Sequence, residues 1–319
     1  MLSTLTQKIL KGGQITRQEA SALSQVPLNH LADAATQLRK HFCGNTFDLC
    51  TIINGKGGHC SENCKFCAQS THYQTGAEVH PLLDTQTVYD TAKHCGDQGI
   101  LRFSNVTAGR RLSSPEMEVV AAQYKAIHAD LPIKLCASHG LLETEDFKKL
   151  KAAGVTRYHN NLETSRKFFP KVCSTHRYDD KIRTILEAKE AGLEVCSGGI
   201  FGLGETLEDR LDMAFTLREL QITSVPINIL NPIPGTPLSE QPLCSEDDVL
   251  RSVCLYRFIL PGAALRLAGG RGLLSDKGER LFATAANAAI TGDMLTTDGI
   301  DVKSDQAMLA RLGYIIGAL

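Results

Sequence analysis

Long apolar runs are missing from this sequence. No hydrophobic stretch approaches the ~20 residues that a membrane-spanning helix requires, and the first residues do not combine a basic region with an apolar one. An excess of charge is also missing, because 34 Lys and Arg residues oppose 35 Asp and Glu residues. We therefore expect a cytoplasmic protein whose partners include neither a membrane nor a nucleic acid.

The signs of a disulfide framework are absent as well, although cysteine itself is not scarce. The chain has 11 Cys, an odd number, and no secretion signal accompanies them, so reduced thiols that bind metal are the better interpretation. Low-complexity tracts, solenoid repeats and long linkers are also missing. With 319 residues, 43% of them hydrophobic, the chain is long enough for one large α/β barrel or two modest domains.

The most informative stretch is Cys60-Ser-Glu-Asn-Cys64-Lys-Phe-Cys67, in which three thiols follow a glycine-rich turn. Three thiolates can hold three irons of a cubane [4Fe–4S] cluster, and a fourth Cys is the usual complement. None follows at ferredoxin-like spacing, so one iron would stay open to a small molecule. The alternative is a zinc site that His59 closes as the fourth ligand.

Short apolar or β-branched runs alternate with helical patterns along most of the chain. Candidate strands are Phe47–Ile53, Ile100–Val106, Ile133–Ser138, Arg157–Leu162, Leu193–Ile200, Ser224–Ile229, Ala264–Leu267 and, weakly, Ile290–Leu295. Helices are predicted near Thr85–Cys95, Pro115–Ala129, Glu143–Ala153, Asp179–Ala191, Leu207–Leu220, Glu246–Phe258 and Lys277–Ala288. This alternation predicts an α/β fold, a (β/α)8 TIM-type barrel with its active site at the carboxyl ends of the strands. The predicted barrel covers residues 46–300, with an N-terminal helical extension over 1–45 and a C-terminal helical tail over 301–319.

Two further thiols and an arginine lie within predicted strands of odd number. Cys136 is on the third strand, Cys196 on the fifth and Arg266 on the seventh. A lone Cys in a strand is usually a small buried hydrophobe, but packing explains this combination less easily. The fourth strand ends in a polar run, Arg157–Ser165, which is unusual for a core segment and favours a site at this end of the barrel.

At the Cys60–Cys67 loop the sequence resembles the radical S-adenosylmethionine (SAM) superfamily, whose signature has an aromatic residue before the last Cys, here Phe66. Gly58, Glu62 and the Ala68-Gln69-Ser70 segment are more specifically similar to biotin synthases. The resemblance implies that the open iron chelates SAM. It also implies that reduction cleaves SAM to methionine and a 5′-deoxyadenosyl radical.

The resemblance to biotin synthases spans nearly the whole predicted barrel and implies a second, auxiliary iron–sulfur cluster inside it. In that family three Cys and an Arg hold this cluster, whose sulfide becomes the sulfur of biotin; the matching residues here are Cys136, Cys196 and Arg266. Ser104 stands where the third Cys is expected, which puts an unchanged [2Fe–2S] site in doubt. Alternate strands supply one side chain each to an interior layer, so we hypothesise that Cys50, with Cys43 from the preceding loop, completes a four-iron auxiliary cluster. The alternative is that Cys43 and Cys50 only pack in the core.

Further residues match the family's binding sites for SAM and substrate. The resemblance implies SAM contacts for Phe66, Asn160, Glu163, Lys181 and Ile200. It implies dethiobiotin contacts for Asn161, Asn228, Thr296 and Thr297. Taken singly, each polar residue of these sets could equally serve a turn or a cap, and their joint placement is what favours a site.

We therefore expect a radical SAM sulfurtransferase that converts dethiobiotin to biotin, with hydrogen abstraction at two carbons and attack of each carbon radical on an auxiliary-cluster sulfide. The resemblance also implies a flavodoxin or ferredoxin as electron donor, and a homodimer. One alternative is a relative without sulfur insertion, similar to the hydrogenase maturase or methylornithine synthase, which the Ser at position 104 would fit. Another is a non-catalytic iron–sulfur electron carrier, although a carrier would close all its ligand positions.

Overall fold

Short parallel strands make the wall of a closed barrel in the computed structural model, which describes residues 1–318. The strands are β1 (Thr46–Lys56), β2 (Arg102–Thr107), β3 (Lys134–Ser138), β4 (Val155–His159), β5 (Glu194–Cys196), β6 (Gly199–Phe201), β7 (Ser224–Ile229), β8 (Ala264–Leu267) and β9 (Ala288–Ile290). Pairing of β9 with β1 closes the ring. Because β5 and β6 both pair with β7, they share one of eight positions, and the predicted barrel is confirmed.

The break between β5 and β6 lies at two glycines that approach other backbone closely. A Cβ atom on Gly198 would lie 1.9 Å from the carbonyl oxygen of Pro226, and one on Gly199 would lie 2.3 Å from the carbonyl oxygen of Glu163. Only glycine fits at such points. The strand predicted as Leu193–Ile200 is therefore two short strands with a kink between them.

Helices precede, alternate with and follow the strands. Their bounds are α1 (Leu2–Leu10), α2 (Arg17–Leu23), α3 (Leu28–Cys43), α4 (Thr85–Asp97), α5 (Ser114–Asp130), α6 (Thr144–Ala152), α7 (Phe169–Val172), α8 (Tyr178–Glu190), α9 (Leu207–Glu219), α10 (Glu246–Ile259), α11 (Glu279–Thr284) and α12 (Val302–Arg311). A two-residue strand, β10 (Ile315–Ile316), pairs with the start of β1. Within residues 1–318, no helix combines the length and apolar character needed to span a bilayer.

Two predicted elements near the end of the barrel are shifted. The eighth strand, predicted over Ile290–Leu295, is β9 at Ala288–Ile290, and the predicted helix Lys277–Ala288 ends earlier, as α11. Alanine favours helix by intrinsic propensity, but Ala288 and Ala289 pair with β1 and β8, and ring closure overrides that preference.

The N-terminal helices are anchored on the outer helical layer. α3 packs on α10 and α11, and α1 packs on α3. Leu31, Ala35 and Leu38 recur at helical spacing on α3 and are fully buried. Each buried leucine stabilises this contact by about 1.5–3 kcal/mol. The division of the chain at residues 45 and 300 stays a prediction.

Candidate active site

A cavity of about 340 Å³ opens at the carboxyl ends of the strands. We call its upper part the rim, which consists of lining residues that follow strands: Phe66–Gln69, Asn161, Glu163, Leu230, Asn231, Ile233 and Met294–Thr297. We call its lower part the floor, which we define by seven of the lining residues that lie within strands: Cys50, Arg102, Ser104, Cys136, Arg157, Cys196 and Arg266. The carboxyl-end location is where barrel enzymes place their chemistry.

The loop Cys60–Cys67, called the cysteine loop below, follows β1 and is held by its own backbone. The amide of Cys67 donates to the carbonyl of Cys64 at 3.0 Å, and the amide of Cys60 donates to the carbonyl of Gln69 at 3.0 Å. Its three cysteines are partly exposed as residues. Burial raises the pKa of Cys67 to about 11, so an uncoordinated thiolate is disfavoured there and a metal would supply the compensating charge. Three soft sulfur donors in one loop fit a cubane cluster with an open iron.

Glu62 ties the cysteine loop to the segment before α8. Its carboxylate accepts hydrogen bonds from Thr175 Oγ1 at 2.8 Å and from His176 Nδ1 at 2.5 Å, and Arg110 Nη1 lies 3.4 Å away. Burial alone would raise the pKa of Glu62, but the hydrogen bonds from His176 and Thr175 outweigh it and lower the pKa. The sequence offered no local signal for Arg110, Thr175 or His176, since none lies near Glu62 in the chain.

Glu163 is the most constrained residue of the rim. Its φ of +70° is rare for a residue with a side chain, and its backbone is held by hydrogen bonds to Gly198 and Ile200. Its Oε2 atom, like Oδ1 of Asn160, is buried without a hydrogen-bond partner among residues 1–318. Burial raises the pKa of Glu163. Orphaned acceptors of this kind fit a ligand that brings hydroxyl or N–H donors, as SAM would.

The other predicted binding residues are divided between the cavity and its surroundings. Those that line the cavity are Phe66, Asn161, Ile200, Asn228, Thr296 and Thr297. Asn160 does not line it and donates instead to the carbonyl of Gly140 at 3.1 Å. Lys181, on α8, does not line it either, but its charge lowers the pKa values of Glu163 and Cys67 against the effect of burial.

The two amide side chains predicted to bind substrate are oriented by backbone contacts. Oδ1 of Asn161 accepts from the amide of Gly198 at 3.0 Å. Asn228 donates to the carbonyl of Gly199 at 3.2 Å and accepts from the amide of Gly269 at 2.9 Å. A primary amide has two donors and two acceptor lone pairs, so each retains capacity for a ligand.

The floor brings together thiols from three strands. Cys50, Cys136 and Cys196 are all buried and line the same cavity. Burial raises the pKa of Cys50 to about 12. Ser104, the residue at the position of the missing Cys, also lines the floor and pairs with Cys136 across β2 and β3. The three thiols therefore line one cavity, and their role as cluster ligands stays a prediction.

Buried cations surround these thiols. Arg266 donates to Oδ1 of Asp48 at 2.8 Å and to Sγ of Cys50 at 3.2 Å, and Arg102 lies 3.6 Å from Sγ of Cys136. Positive charge at this depth compensates the negative charge of a thiolate-ligated cluster, so the donor set fits an iron–sulfur group. Sequence reasoning missed Asp48 and Arg102; a charged residue inside an otherwise apolar strand was the available signal.

One floor thiol is predisposed to ionise. Burial would raise the pKa of Cys196, but a hydrogen bond and positive charge from His159, with Arg266 and Arg157, outweigh burial and lower the pKa to about 7. His159 pairs with Cys196 across β4 and β5. His159 and Arg157, which the sequence named only as part of a polar run, therefore belong to the floor's electrostatics.

Cys43 does not line the cavity, so the structure does not place it with the other thiols proposed as ligands. It is the last residue of α3, and its sulfur lies 3.3 Å from Nη1 of Arg257 and 3.8 Å from the carbonyl oxygen of Pro261, at the amino end of the barrel. β1 begins at Thr46, and Cys50 lies about 13 Å further along that strand at ~3.3 Å per residue. Cys43 is therefore near Cys50 in the sequence but lies in a different part of the barrel.

Two families match the chain. The Radical SAM superfamily matches residues 56–217, and the Biotin and Thiamin Synthesis associated domain matches residues 226–315. The first range contains the cysteine loop and strands β2 to β6. The second contains β7 to β9 and the rim residues Thr296 and Thr297. Most of the cavity wall thus falls within a matched range, whereas Cys50 on β1 lies before the first one.

Relatives named biotin synthase align over nearly the full chain. The chain is 54% identical to biotin synthase of Akkermansia muciniphila over 314 residues, 98% of each chain. It is 53% identical to biotin synthase of Clostridium botulinum over 307 residues, 96% of each chain. It is also 53% identical to biotin synthase of Brachyspira hyodysenteriae over 315 residues, 99% of this chain and 95% of the relative.

Solved structures agree on the fold. Methylornithine synthase superposes with a TM-score of 0.84 at 19% identity, over 98% of this chain and 97% of that one. A maturase of the [FeFe]-hydrogenase superposes with a TM-score of 0.85 at 18% identity, over 99% of this chain and 75% of that one. At such identities the likeness concerns the barrel alone. The near-full-length identity above 50% decides the family: this chain belongs to the biotin synthases, radical SAM enzymes that act as sulfurtransferases.

Proposed function

We propose that this chain converts dethiobiotin to biotin, with sulfur drawn from an iron–sulfur cluster held at the floor. The observation that supports this proposal is that two separate groups of thiols meet one cavity, Cys67 at the rim and Cys50, Cys136 and Cys196 at the floor. A radical generator alone needs only the first group, and an electron carrier needs no enclosed space. A cavity of about 340 Å³ suits a small-molecule substrate.

At the rim, Cys60, Cys64 and Cys67 would hold a [4Fe–4S] cluster with SAM. When bound and reduced, that group supplies a carbon radical able to abstract hydrogen from an unactivated C–H bond. The chain's own part is to bind and orient: Glu163 offers an unpaired carboxylate oxygen to hydroxyl groups, and Lys181 supplies positive charge. Phe66 and Ile200 add apolar surface that excludes water from the cavity, and Asn160 offers a further unpaired acceptor.

At the floor, we assign Cys50, Cys136 and Cys196 as ligands of a four-iron auxiliary cluster in preference to a [2Fe–2S] cluster. Thiolate sulfur is the preferred donor for iron–sulfur groups, whereas the hydroxyl of Ser104 is a harder and far less acidic ligand. Arg266 is already bonded to the carboxylate of Asp48 and to the carbonyl of Ala289. It therefore acts as a neighbouring cation that stabilises the cluster's negative charge.

Substrate would lie between rim and floor. A ureido group presents N–H donors and a carbonyl acceptor, which complement the amides of Asn161 and Asn228. The hydroxyls of Thr296 and Thr297 would bind the carboxylate at the other end of the substrate. This orientation directs the substrate's aliphatic carbons towards the floor thiols.

The same reaction implies partners. We propose a flavodoxin or ferredoxin as the low-potential electron donor, a homodimeric assembly and a cytoplasmic location. The partly exposed thiols of the cysteine loop support an external electron donor, because a cluster held there would lie near the protein surface.

The test is anaerobic reconstitution of the full chain, with iron, acid-labile sulfide and Mössbauer spectra measured, followed by product analysis with dethiobiotin and SAM. We expect about eight irons per chain in two four-iron clusters, and biotin as the product. About six irons would indicate a surviving [2Fe–2S] site. About four irons without biotin would overturn the proposal in favour of a relative without sulfur insertion.

A further inference from the structure

A fourth thiol lies beside the cysteine loop. Cys173, between α7 and α8, is buried, and its sulfur lies 3.3 Å from Nδ1 of His176. Cys64, Cys173 and His176 each offer one ligand atom, and these three atoms lie within 4.8 Å of one another. Two thiols and an imidazole at this separation form a donor set suited to soft divalent cations such as Zn²⁺.

The imidazole of His176 is held by a carboxylate. Its Nδ1 lies 2.5 Å from Oε2 of Glu62, whereas Nε2 is buried and has no hydrogen-bond partner among residues 1–318. A histidine ligand commonly donates one ring N–H to a carboxylate and gives its other nitrogen to the metal. Nδ1 also lies 3.3 Å from Sγ of Cys173, so the imidazole stands beside the thiols, and its second nitrogen is buried without a partner.

Only small movements separate these atoms from a coordination sphere. With Zn–S near 2.3 Å and Zn–N near 2.0 Å, ligand atoms of a tetrahedral site stand about 3.6–3.8 Å apart. The two segments that carry the donors are already tied together. The amide of Ser174 donates to Oδ1 of Asn63 at 2.9 Å, and the amide of Lys65 donates to the carbonyl of Val172 at 3.0 Å.

We propose that Cys64, Cys173 and His176 bind a soft divalent cation, with Zn²⁺ as the reference ion, when the SAM cluster is absent. This site goes beyond the proposed function, because it requires neither SAM nor dethiobiotin. Each thiol that binds the metal releases its proton to solvent. Cys64 belongs to both sites, so the cation and the SAM cluster exclude each other. Zinc bound here therefore delays cluster assembly.

Metal titration of the full-length, cluster-free chain tests the site. Co²⁺ reports thiolate ligation through its sulfur-to-cobalt charge-transfer band, and Zn²⁺ then competes with it. We expect one ion per chain, and a charge-transfer band with the intensity expected for two thiolate ligands. Cys173→Ser should halve the band and weaken zinc binding about tenfold or more, and His176→Asn should weaken binding while keeping the band.

Cys60→Ser and Cys67→Ser are the matched controls, because they alter the same loop outside the site. They should leave the zinc affinity within about twofold of the unaltered chain. If they weaken zinc binding as much as Cys173→Ser does, the metal sits on the three loop thiols and the proposal is wrong. An unchanged cobalt band in Cys173→Ser would overturn it as well.

A second measurement uses the unaltered chain. Zinc-loaded protein and metal-free protein are reconstituted with iron and sulfide, and cluster formation is followed by electron paramagnetic resonance after reduction. We expect the zinc-loaded chain to gain the SAM cluster more slowly, and we expect this delay to disappear in Cys173→Ser. Equal rates with and without zinc would contradict the sharing of Cys64.

Discussion

The cysteine loop and the floor each present three thiols, but the two regions are built in opposite ways. The loop's thiols come from eight consecutive residues, Cys60–Cys67, and short backbone hydrogen bonds hold them. The floor's thiols come from β1, β3 and β5, and they meet only because β9 pairs with β1 to close the ring. A site of the first kind can be recognised as a motif, whereas a site of the second kind needs the complete fold.

The two regions also differ in their electrostatics. The floor is buried and contains Arg102, Arg157 and Arg266 beside its thiols, so its charges are compensated inside the barrel. The loop is partly exposed and relies on Glu62 and its hydrogen bonds to hold its position. We therefore expect substitutions at the floor to change the stability of the whole fold. Substitutions in the loop should mainly change the binding of its cluster and SAM.

The largest effect should come from removing one thiol of either region. We expect Cys67→Ser to lose about four irons together with the spectral response to SAM, and Cys136→Ser to lose the floor irons while it still cleaves SAM. Biotin formation should fall to background in both. Iron analysis and Mössbauer spectra measure the separation. Cys254→Ser, at a buried thiol of α10, is the control and should keep both clusters. Loss of all iron from either variant would show that the two regions are not independent.

The next effect concerns the buried ion pair under the floor. Arg266→Met removes the guanidinium that pairs with the buried carboxylate of Asp48, so the free energy of unfolding should fall by about 3–5 kcal/mol. Denaturant unfolding of the cluster-free chain measures it. Arg280→Met breaks an exposed pair with Asp247 and should change stability by less than about 1 kcal/mol. Equal effects of the two variants would mean that the floor charges are screened by solvent.

A smaller effect is expected at Glu163. Glu163→Gln keeps the side-chain shape but removes the charge that accepts hydroxyl donors, so SAM binding to the cluster-loaded chain should weaken about tenfold to a hundredfold. Because burial raises the pKa of Glu163, the ligand-free chain should lose stability as pH rises above the ordinary value of 4.5 and ionisation of the buried acid becomes unfavourable.

The glutamine variant should remove that part of the pH dependence, and denaturant unfolding at a series of pH values measures it. The unaltered chain with SAM bound is the control, since bound hydroxyl donors stabilise the carboxylate. An identical pH profile for Glu163→Gln and the unaltered chain would contradict burial as the cause.

The smallest effect should be that of Cys43→Ala. Arg257 loses one sulfur contact but keeps hydrogen bonds to Pro261, Ala263, Ala285 and Asn287, so stability should change by about 1 kcal/mol or less. The iron content of the reconstituted chain should not change, in contrast to Cys50→Ala, which should lose the floor irons. Loss of iron from Cys43→Ala would return Cys43 to the ligand set.

Cys43 and Cys173 show which spatial neighbours could not be predicted from the sequence. Cys43 precedes Cys50 by seven positions, yet it lies at the amino end of the barrel beside Arg257. Cys173 is more than a hundred positions from Cys64, yet it lies next to it. Separation along the chain is a poor guide to separation in space once a helix ends and a strand begins between two residues.

By itself, the sequence determined the cysteine loop, the alternation of strands and helices and hence the barrel, because spacing and periodicity are local properties of the chain. The family resemblance on those residues extended the prediction to the amides of Asn161 and Asn228 and to the two threonines of the rim. Only the tertiary structure decided that Cys50 and not Cys43 joins Cys136 and Cys196, that buried arginines accompany them, and that Cys173 lies beside Cys64. These contacts depend on strand register and ring closure, which join residues that no local pattern connects.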